Sequence, residues 1–234
     1  MNKWIGFGLC FMAMLLVTAC DNDKIQFQLT TDWVDFVMLD ETTYTRVPQG
    51  TILADPSEIS TDSPIGMTTF EVFGNIRNTG YQPKDGDAAY LPAGTAIYGL
   101  KSQTDHKVIA VKDPAEVSGF KLYATDHFDF DSFAAQLDLK SVNRIEIYKR
   151  YPKRERLREL SGEEIKDCIR LLEQGEKDAA YQPGPNVILT YYDAVFYGNH
   201  PYALSRVLAD DGSSFIFYED EIRKIPRSIG QYLK

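Results

Sequence analysis

The first twenty residues constrain this chain most, because they decide which part of it is left to fold. One cation, Lys3, precedes a stretch of apolar or small residues from Trp4 to Val17, and small residues then lead to Cys20. A charged start, an apolar middle and a small-residue end are typical of a secretory signal segment. The apolar run is shorter than the roughly twenty residues that a membrane-spanning helix needs. We therefore predict that residues 1–19 are a signal peptide and that folding begins after them.

The cysteine at the predicted cleavage point resembles the lipobox of bacterial lipoproteins. This resemblance implies that the Cys20 sulfur receives a diacylglycerol, that the chain is cut before it, and that Cys20 becomes the mature N-terminus. Two acyl chains hold a protein stably at a bilayer, whereas one holds it only marginally. We therefore expect a lipidated tether over residues 20–30 and a location at the extracytoplasmic face of the cell membrane. The alternative is an ordinary secretory signal with a chance cysteine.

The cysteines and the net charge argue against an intramolecular disulfide and against a nucleic-acid partner. Cys10 would leave with the signal and Cys20 would carry the lipid, so Cys168 has no partner for an intramolecular disulfide. A hydrophobic core must therefore stabilise the fold. The formal net charge is −9, and an acidic surface disfavours nucleic acid, whose binding depends on basic patches. We predict no nucleic-acid partner.

Short strand-like segments separated by turn residues fill the first half of the folded part. Trp33 to Leu39 is rich in strand formers, and Thr43 to Val47 can pair back on it across a short turn. Gly66 to Phe73 alternates in character and predicts a further strand. Several short strands joined by turns are typical of a small barrel or sandwich. We therefore predict a β-rich module over residues 31–112.

The second half predicts a different module, with its boundary at Asp113-Pro114. A residue before proline is disfavoured in the helical region of backbone space, so a boundary is natural there. Residues 114–234 predict an α+β module, an antiparallel sheet with one principal helix packed on it. Ser161 and Glu164 have the spacing of a capping box at the start of that helix. Its apolar stripe is then marked by residues at helical spacing: Ile165, Cys168, Ile169 and Leu172. We expect the Cys168 thiol to be a buried structural group.

Three segments of the first half occur in a distinctive order. Trp33-Val34-Asp35-Phe36-Val37 is followed by Tyr44, then by Gly86-Asp87-Ala88-Ala89-Tyr90-Leu91, then by Gly94-Thr95-Ala96-Ile97-Tyr98. Together they resemble an uncharacterised family of lipoproteins and secreted proteins from Gram-positive, spore-forming bacteria, over roughly residues 33–111. The resemblance implies a lipid-anchored protein from a cell with one membrane. It implies no activity.

Residues with catalytic or metal-binding chemistry are scattered. His106, His127 and His200 lie far apart in loop-like contexts without metal-ligand spacing, and common catalytic motifs are absent from the sequence. We predict no catalytic residue, cofactor or metal. The function predicted is that of a non-catalytic surface lipoprotein, which binds a cell-envelope protein or a wall polymer. The alternative is an extracytoplasmic hydrolase whose site assembles from scattered histidines and acids.

One basic segment stands out in this acidic chain, between residues 149 and 156. It holds five cations and one acid, and the cations form a candidate interaction patch: Lys149, Arg150, Lys153, Arg154 and Arg156. Such a patch suits anionic wall polymers or lipid headgroups on the outer leaflet. The alternative is a solvated hairpin or loop that leads to the helix.

Overall fold

The computed structural model describes residues 33–78, 80–126, 128, 139–218 and 221–233. The predicted signal peptide and tether, residues 1–30, lie outside the described residues. Within these ranges the chain is mostly β, which confirms its predicted β-rich character. Asp32–Lys234 forms one compact unit.

Sixteen strands and one α-helix occur in the part of the chain that the structure describes. The strands are β1 (Phe36–Leu39), β2 (Thr42–Arg46), β3 (Thr51–Leu53), β4 (Gly66–Met67), β5 (Phe70–Glu71), β6 (Asp87–Ala88), β7 (Ala96–Gly99), β8 (Val108–Lys112), β9 (Phe120–Ala124), β10 (Arg144–Lys149), β11 (Glu155–Leu160), β12 (Glu176–Lys177), β13 (Thr190–Tyr197), β14 (Tyr202–Asp210), β15 (Phe215–Tyr218) and β16 (Ile222–Ile225). The helix, α1, spans Glu163–Glu173. The first sheet has the order β4-β7-β8-β9-β2-β1-β6-β5, and the second has the order β11-β10-β13-β14-β15-β16-β12, with β3 also paired to β14.

The hairpin predicted at the start of the first sheet is present. β1 and β2 pair antiparallel, with Leu39 opposite Thr42 at the turn. Asp40 and Glu41 form that turn with φ of 50° and 59°. Two successive positive φ values are typical of the tight turn whose twist matches a hairpin.

The first sheet is curled, and its two edge strands follow each other directly in the sequence. β4 lies at one edge and β5 at the other, and only Thr68 and Thr69 separate them. The prediction of one continuous strand from Gly66 to Phe73 is therefore wrong. The segment divides because it must cross from one edge of the sheet to the other.

Thr68 holds this crossing in place. Its side chain is buried, and its hydroxyl donates to the Pro92 carbonyl at 2.6 Å and accepts from the Thr95 amide at 2.9 Å. The next amide, that of Thr69, donates to the Gly86 carbonyl at 2.7 Å, beside β6. Thr68 and Thr69 thus form hydrogen bonds toward opposite edges of the first sheet. The buried hydroxyl of Thr68 has its hydrogen-bond partners inside the core.

Each predicted module contributes one strand to the sheet formed mainly by the other module. β3 pairs with β14 in the second sheet, with Ile52 opposite Ala203. β9 lies beyond Asp113-Pro114 but pairs with β8 and β2 in the first sheet. The predicted boundary falls in the turn between β8 and β9, and the division into two modules is not confirmed. One buried cluster contains residues from both halves, including Leu53, Tyr98, Leu122, Ile147, Leu172 and Leu208.

The principal helix is present where the spacing predicts it, but its start differs. The predicted stripe packs into the core, with Ile165, Cys168 and Leu172 buried and Ile169 half-buried. The predicted capping box is wrong, because Gly162, not Ser161, occupies the N-cap position and no side chain caps the helix. The carboxylate of Glu164 instead accepts a hydrogen bond from Arg158.

We expect Cys168 to react slowly with a thiol reagent in the native protein and at once in urea. Its side chain is 1% exposed, and burial raises the pKa of the Cys168 thiol to about 12, so the reactive thiolate is scarce. Cys168→Ser should lower the free energy of unfolding by roughly 1–3 kcal/mol, because it buries a hydroxyl. Timed labelling with and without urea measures the first effect, and urea denaturation measures the second. Rapid labelling of native protein would contradict the structural role.

Candidate functional site

A cleft of about 1010 Å³ lies where the two sheets meet. Its lining comes from residues 46–52, which run from the end of β2 into β3, from residues 114–117 in the β8–β9 turn, from the β10–β11 turn, from residues 204–207 of β14, and from single residues of β13 and β15. Among the described residues, five cations line it: Arg46, Arg150, Lys153, Arg154 and Arg206. We call it the basic cleft.

A glycine brings the segment after β2 against β14 to form one wall. Gly50 has a φ of 93°, and a Cβ at this position would lie 2.5 Å from the Ser205 carbonyl oxygen and 3.2 Å from Nη1 of Arg206. The Ser205 amide donates to the Gly50 carbonyl at 2.6 Å. Any side chain at residue 50 would therefore separate the two segments and displace the Arg206 guanidinium.

A buried carboxylate orients two arginines on the wall formed by the second sheet. Asp193 lies on β13 and is 1% exposed. Arg150 donates to its Oδ1 through Nε at 2.7 Å, and Arg154 donates to its Oδ2 through Nε at 3.2 Å. A buried charge requires such partners. Asp193 thus fixes two guanidinium groups at the cleft and leaves their summed charge positive.

Arg46 lines the basic cleft at the end of β2, in the first sheet. Its Nη2 donates to Oε1 of Glu116 in the β8–β9 turn at 2.6 Å. Its Nη1 is buried, and among the described residues it has no hydrogen-bond partner. A buried donor left unpaired is costly in free energy. The Arg46 side chain is 21% exposed, so its guanidinium can turn an unused donor toward a ligand oxygen in the cleft.

The remaining two cations form no ion pair with any residue that the structure describes. Arg206 makes only a long bond, 3.4 Å, from Nη1 to the carbonyl of Ser205. Lys153 is exposed at the β10–β11 turn. Among the described residues, two carboxylates line the cleft beside the five cations, those of Glu116 and Asp193. The described lining therefore has an excess of three positive charges in a chain whose net charge is −9.

The structure divides the basic patch predicted from the sequence. Arg150, Lys153 and Arg154 line the basic cleft, whereas Lys149 is half-buried at the end of β10 and does not. Arg156 lies on β11 and donates to the buried carboxylate of Glu146 at 3.0 Å and to Glu159 at 2.9 Å.

The two histidines that the structure describes do not line the basic cleft. His106 lies in the turn between β7 and β8, and His200 lies in the turn between β13 and β14. Neither is among the residues that line the cleft, and His127 lies outside the described residues. Within the described ranges, no cluster of three or more histidine, cysteine or acidic side chains is placed to hold a metal ion. No helix in those ranges is long and apolar enough to cross a membrane.

Four residues of the site were not predicted from the sequence: Arg46, Glu116, Asp193 and Arg206. Asp193 could have been predicted from the sequence, because it interrupts an apolar strand and a buried acid needs a cationic partner. The other three are single charges in ordinary strand or turn contexts. No protein family, curated protein or solved structure matches this chain. Its function must be argued from the geometry and charge of the basic cleft itself.

Proposed function

We propose that this chain is a lipid-anchored extracytoplasmic protein that binds an anionic ligand in the basic cleft without transforming it. The observation that carries the proposal is the concentration of positive charge in one concave site of an acidic chain. The sequence holds 34 acidic residues against 25 lysines and arginines, yet five of those cations line this cleft. A concave site lined by one sign of charge concentrates ligands of the opposite sign.

The surrounding negative charge contributes to selectivity. An acidic surface repels anions over most of the molecule, so an anionic ligand gains attraction only where the basic cleft opens. Arginine supports this role because its planar guanidinium presents several donors at once to a carboxylate or phosphate. Three arginines and one lysine of the cleft lie on the second sheet or its β10–β11 turn, and Arg46 lies on the first sheet.

The acidic residues of the basic cleft favour binding over catalysis. A general base must be free to accept a proton from the reacting group. Asp193 is held by Arg150 and Arg154, and Glu116 is held by Arg46. Both carboxylates therefore act as positioning groups for the cations around them.

The predicted lipid anchor at Cys20 would place this site outside the cytoplasm, close to the membrane that holds it. Among the partner classes expected from the sequence, an anionic wall polymer matches the charge of the cleft directly. An envelope protein would have to present acidic groups that reach into the cleft. We therefore propose an anionic component of the cell envelope, or an anionic solute near it, as the ligand.

Arg206→Ala is expected to weaken anion binding by about tenfold or more, since a hydrogen bond to a charged group contributes roughly 1.5–3 kcal/mol. The full-length protein, purified in detergent at low salt, is titrated calorimetrically with inorganic phosphate, citrate and tripolyphosphate. Arg77→Ala is the matched control, because Arg77 is exposed and lies outside the cleft. The proposal fails if none of the three anions binds, or if the two variants lose binding equally.

A further inference from the structure

Three cationic groups of the basic cleft have donors left for a ligand, and they come from three separate elements. Nη1 of Arg46, at the end of β2, is buried without a partner among the described residues. Arg206 on β14 makes only one long bond, to a backbone carbonyl. Lys153 stands at the tip of the β10–β11 turn and pairs with no described acid. A ligand that satisfies all three must present acceptors in several directions.

The charge of the basic cleft sets a lower limit on the charge of its ligand. Among the residues that the structure describes, five cations and two carboxylates line the cleft, which leaves an excess of three positive charges. A ligand with one negative charge would leave most of that excess uncompensated. A ligand with two or three negative charges within a short length would match it.

The size of the cleft excludes a single small anion as its full occupant. Its volume of about 1010 Å³ lies at the upper end of the range of about 300–1,000 Å³ that ligand pockets show. A water molecule takes up about 30 Å³, and one tetrahedral anion is only a few times larger. One such ion therefore leaves most of the cleft volume empty.

We propose that the ligand carries at least two linked phosphate groups, one bound at Arg46 and the other at Arg206 and Lys153. This inference rests on the proposed function and names the chemical class that the site takes. A phosphate group is tetrahedral and accepts hydrogen bonds from several directions, whereas a carboxylate accepts mainly in one plane. Donors that approach from three elements therefore match phosphate better. The same chemistry occurs in a free oligophosphate and in a phosphodiester polymer.

The test compares affinities for four probes on the full-length protein in detergent: inorganic phosphate, citrate, tripolyphosphate and a synthetic trimer of glycerol phosphate. We expect tripolyphosphate or the trimer to bind at least ten times more tightly than phosphate or citrate. Preference for tripolyphosphate assigns the site to oligophosphates, and preference for the trimer assigns it to phosphodiester polymers. Citrate binding equal to the better of the two would overturn the phosphate class. Equal binding of inorganic phosphate would overturn the requirement for two groups. Either result leaves the proposed function intact, whereas binding of no anion refutes that function itself.

Three variants test whether one ligand bridges Arg46 and Arg206. Arg46→Gln and Arg206→Gln should each reduce the affinity for the preferred probe to about that for inorganic phosphate, while Arg77→Gln leaves it unchanged. Lys153→Gln should reduce it by a smaller factor, and it tests the site without removing the partner of any carboxylate. Circular dichroism verifies that each variant is folded. Full affinity in Arg46→Gln, together with loss in Arg206→Gln, would refute the bridge.

Discussion

Replacing both Arg150 and Arg154 with alanine is expected to lower the free energy of unfolding by about 3–5 kcal/mol. The carboxylate of Asp193 is 1% exposed and is bound by both guanidinium groups. Removing both would leave a buried charge without a counter-ion, which is among the most destabilising changes a single site can undergo. Urea denaturation followed by circular dichroism measures the effect.

The single variants and a rescue make this prediction specific. Arg150→Ala and Arg154→Ala should each cost much less than the double variant, because the remaining arginine still neutralises Asp193. Adding Asp193→Asn to the double variant should restore part of the lost stability, since the amide carries no charge. Lys153→Ala, in the same turn but without an ion pair to a described residue, should change stability by no more than about 0.5 kcal/mol. If the double variant loses only the sum of two small effects, the arginines do not share the role assigned to them.

Replacing Cys20 with alanine is expected to abolish lipid attachment and cleavage at residue 20. The prediction depends on the sulfur, which is the acceptor of the diacylglycerol that the lipobox resemblance implies. Metabolic labelling with a radioactive fatty acid should mark the parent protein and leave the variant unlabelled. The variant should also migrate as the larger, uncleaved chain.

Cys10→Ala is the matched control, because it removes a cysteine from the same signal segment without touching the predicted lipid acceptor. It should be labelled and processed like the parent. A Cys20→Ala protein that is still cut at the same size and still wholly membrane-bound would refute the anchor.

Local features of the fold were predictable because the residues that determine them are close in sequence. The β1–β2 hairpin follows from the tight turn at Asp40 and Glu41, and α1 follows from the spacing of Ile165, Cys168 and Leu172. The pairing of β3 with β14 was not predictable, because a three-residue apolar strand does not identify its partner. The division of the segment around Thr68 was also missed, since alternation along a strand does not show that a chain crosses between sheet edges.

The same contrast applies to the candidate site. Arg150, Lys153 and Arg154 were found because their charges cluster in five residues of sequence. Arg46 and Arg206 were missed because each is a lone cation in a strand, and strands on a half-exposed sheet carry such residues routinely. Only the fold brings them together.

The long-range pairing of β3 has a consequence for how the protein reaches its native state. Ile52 and Ala203 are about 150 residues apart in the chain, so closing that loop costs conformational entropy before any contact compensates for it. A chain that ends before β14 would leave the apolar strand Thr51–Leu53 with an open edge, which favours aggregation. The contact between Gly50 and Ser205 that forms one wall of the basic cleft depends on this long-range pairing. Anion binding would therefore require that the pairing has formed, and a bound anion would stabilise it.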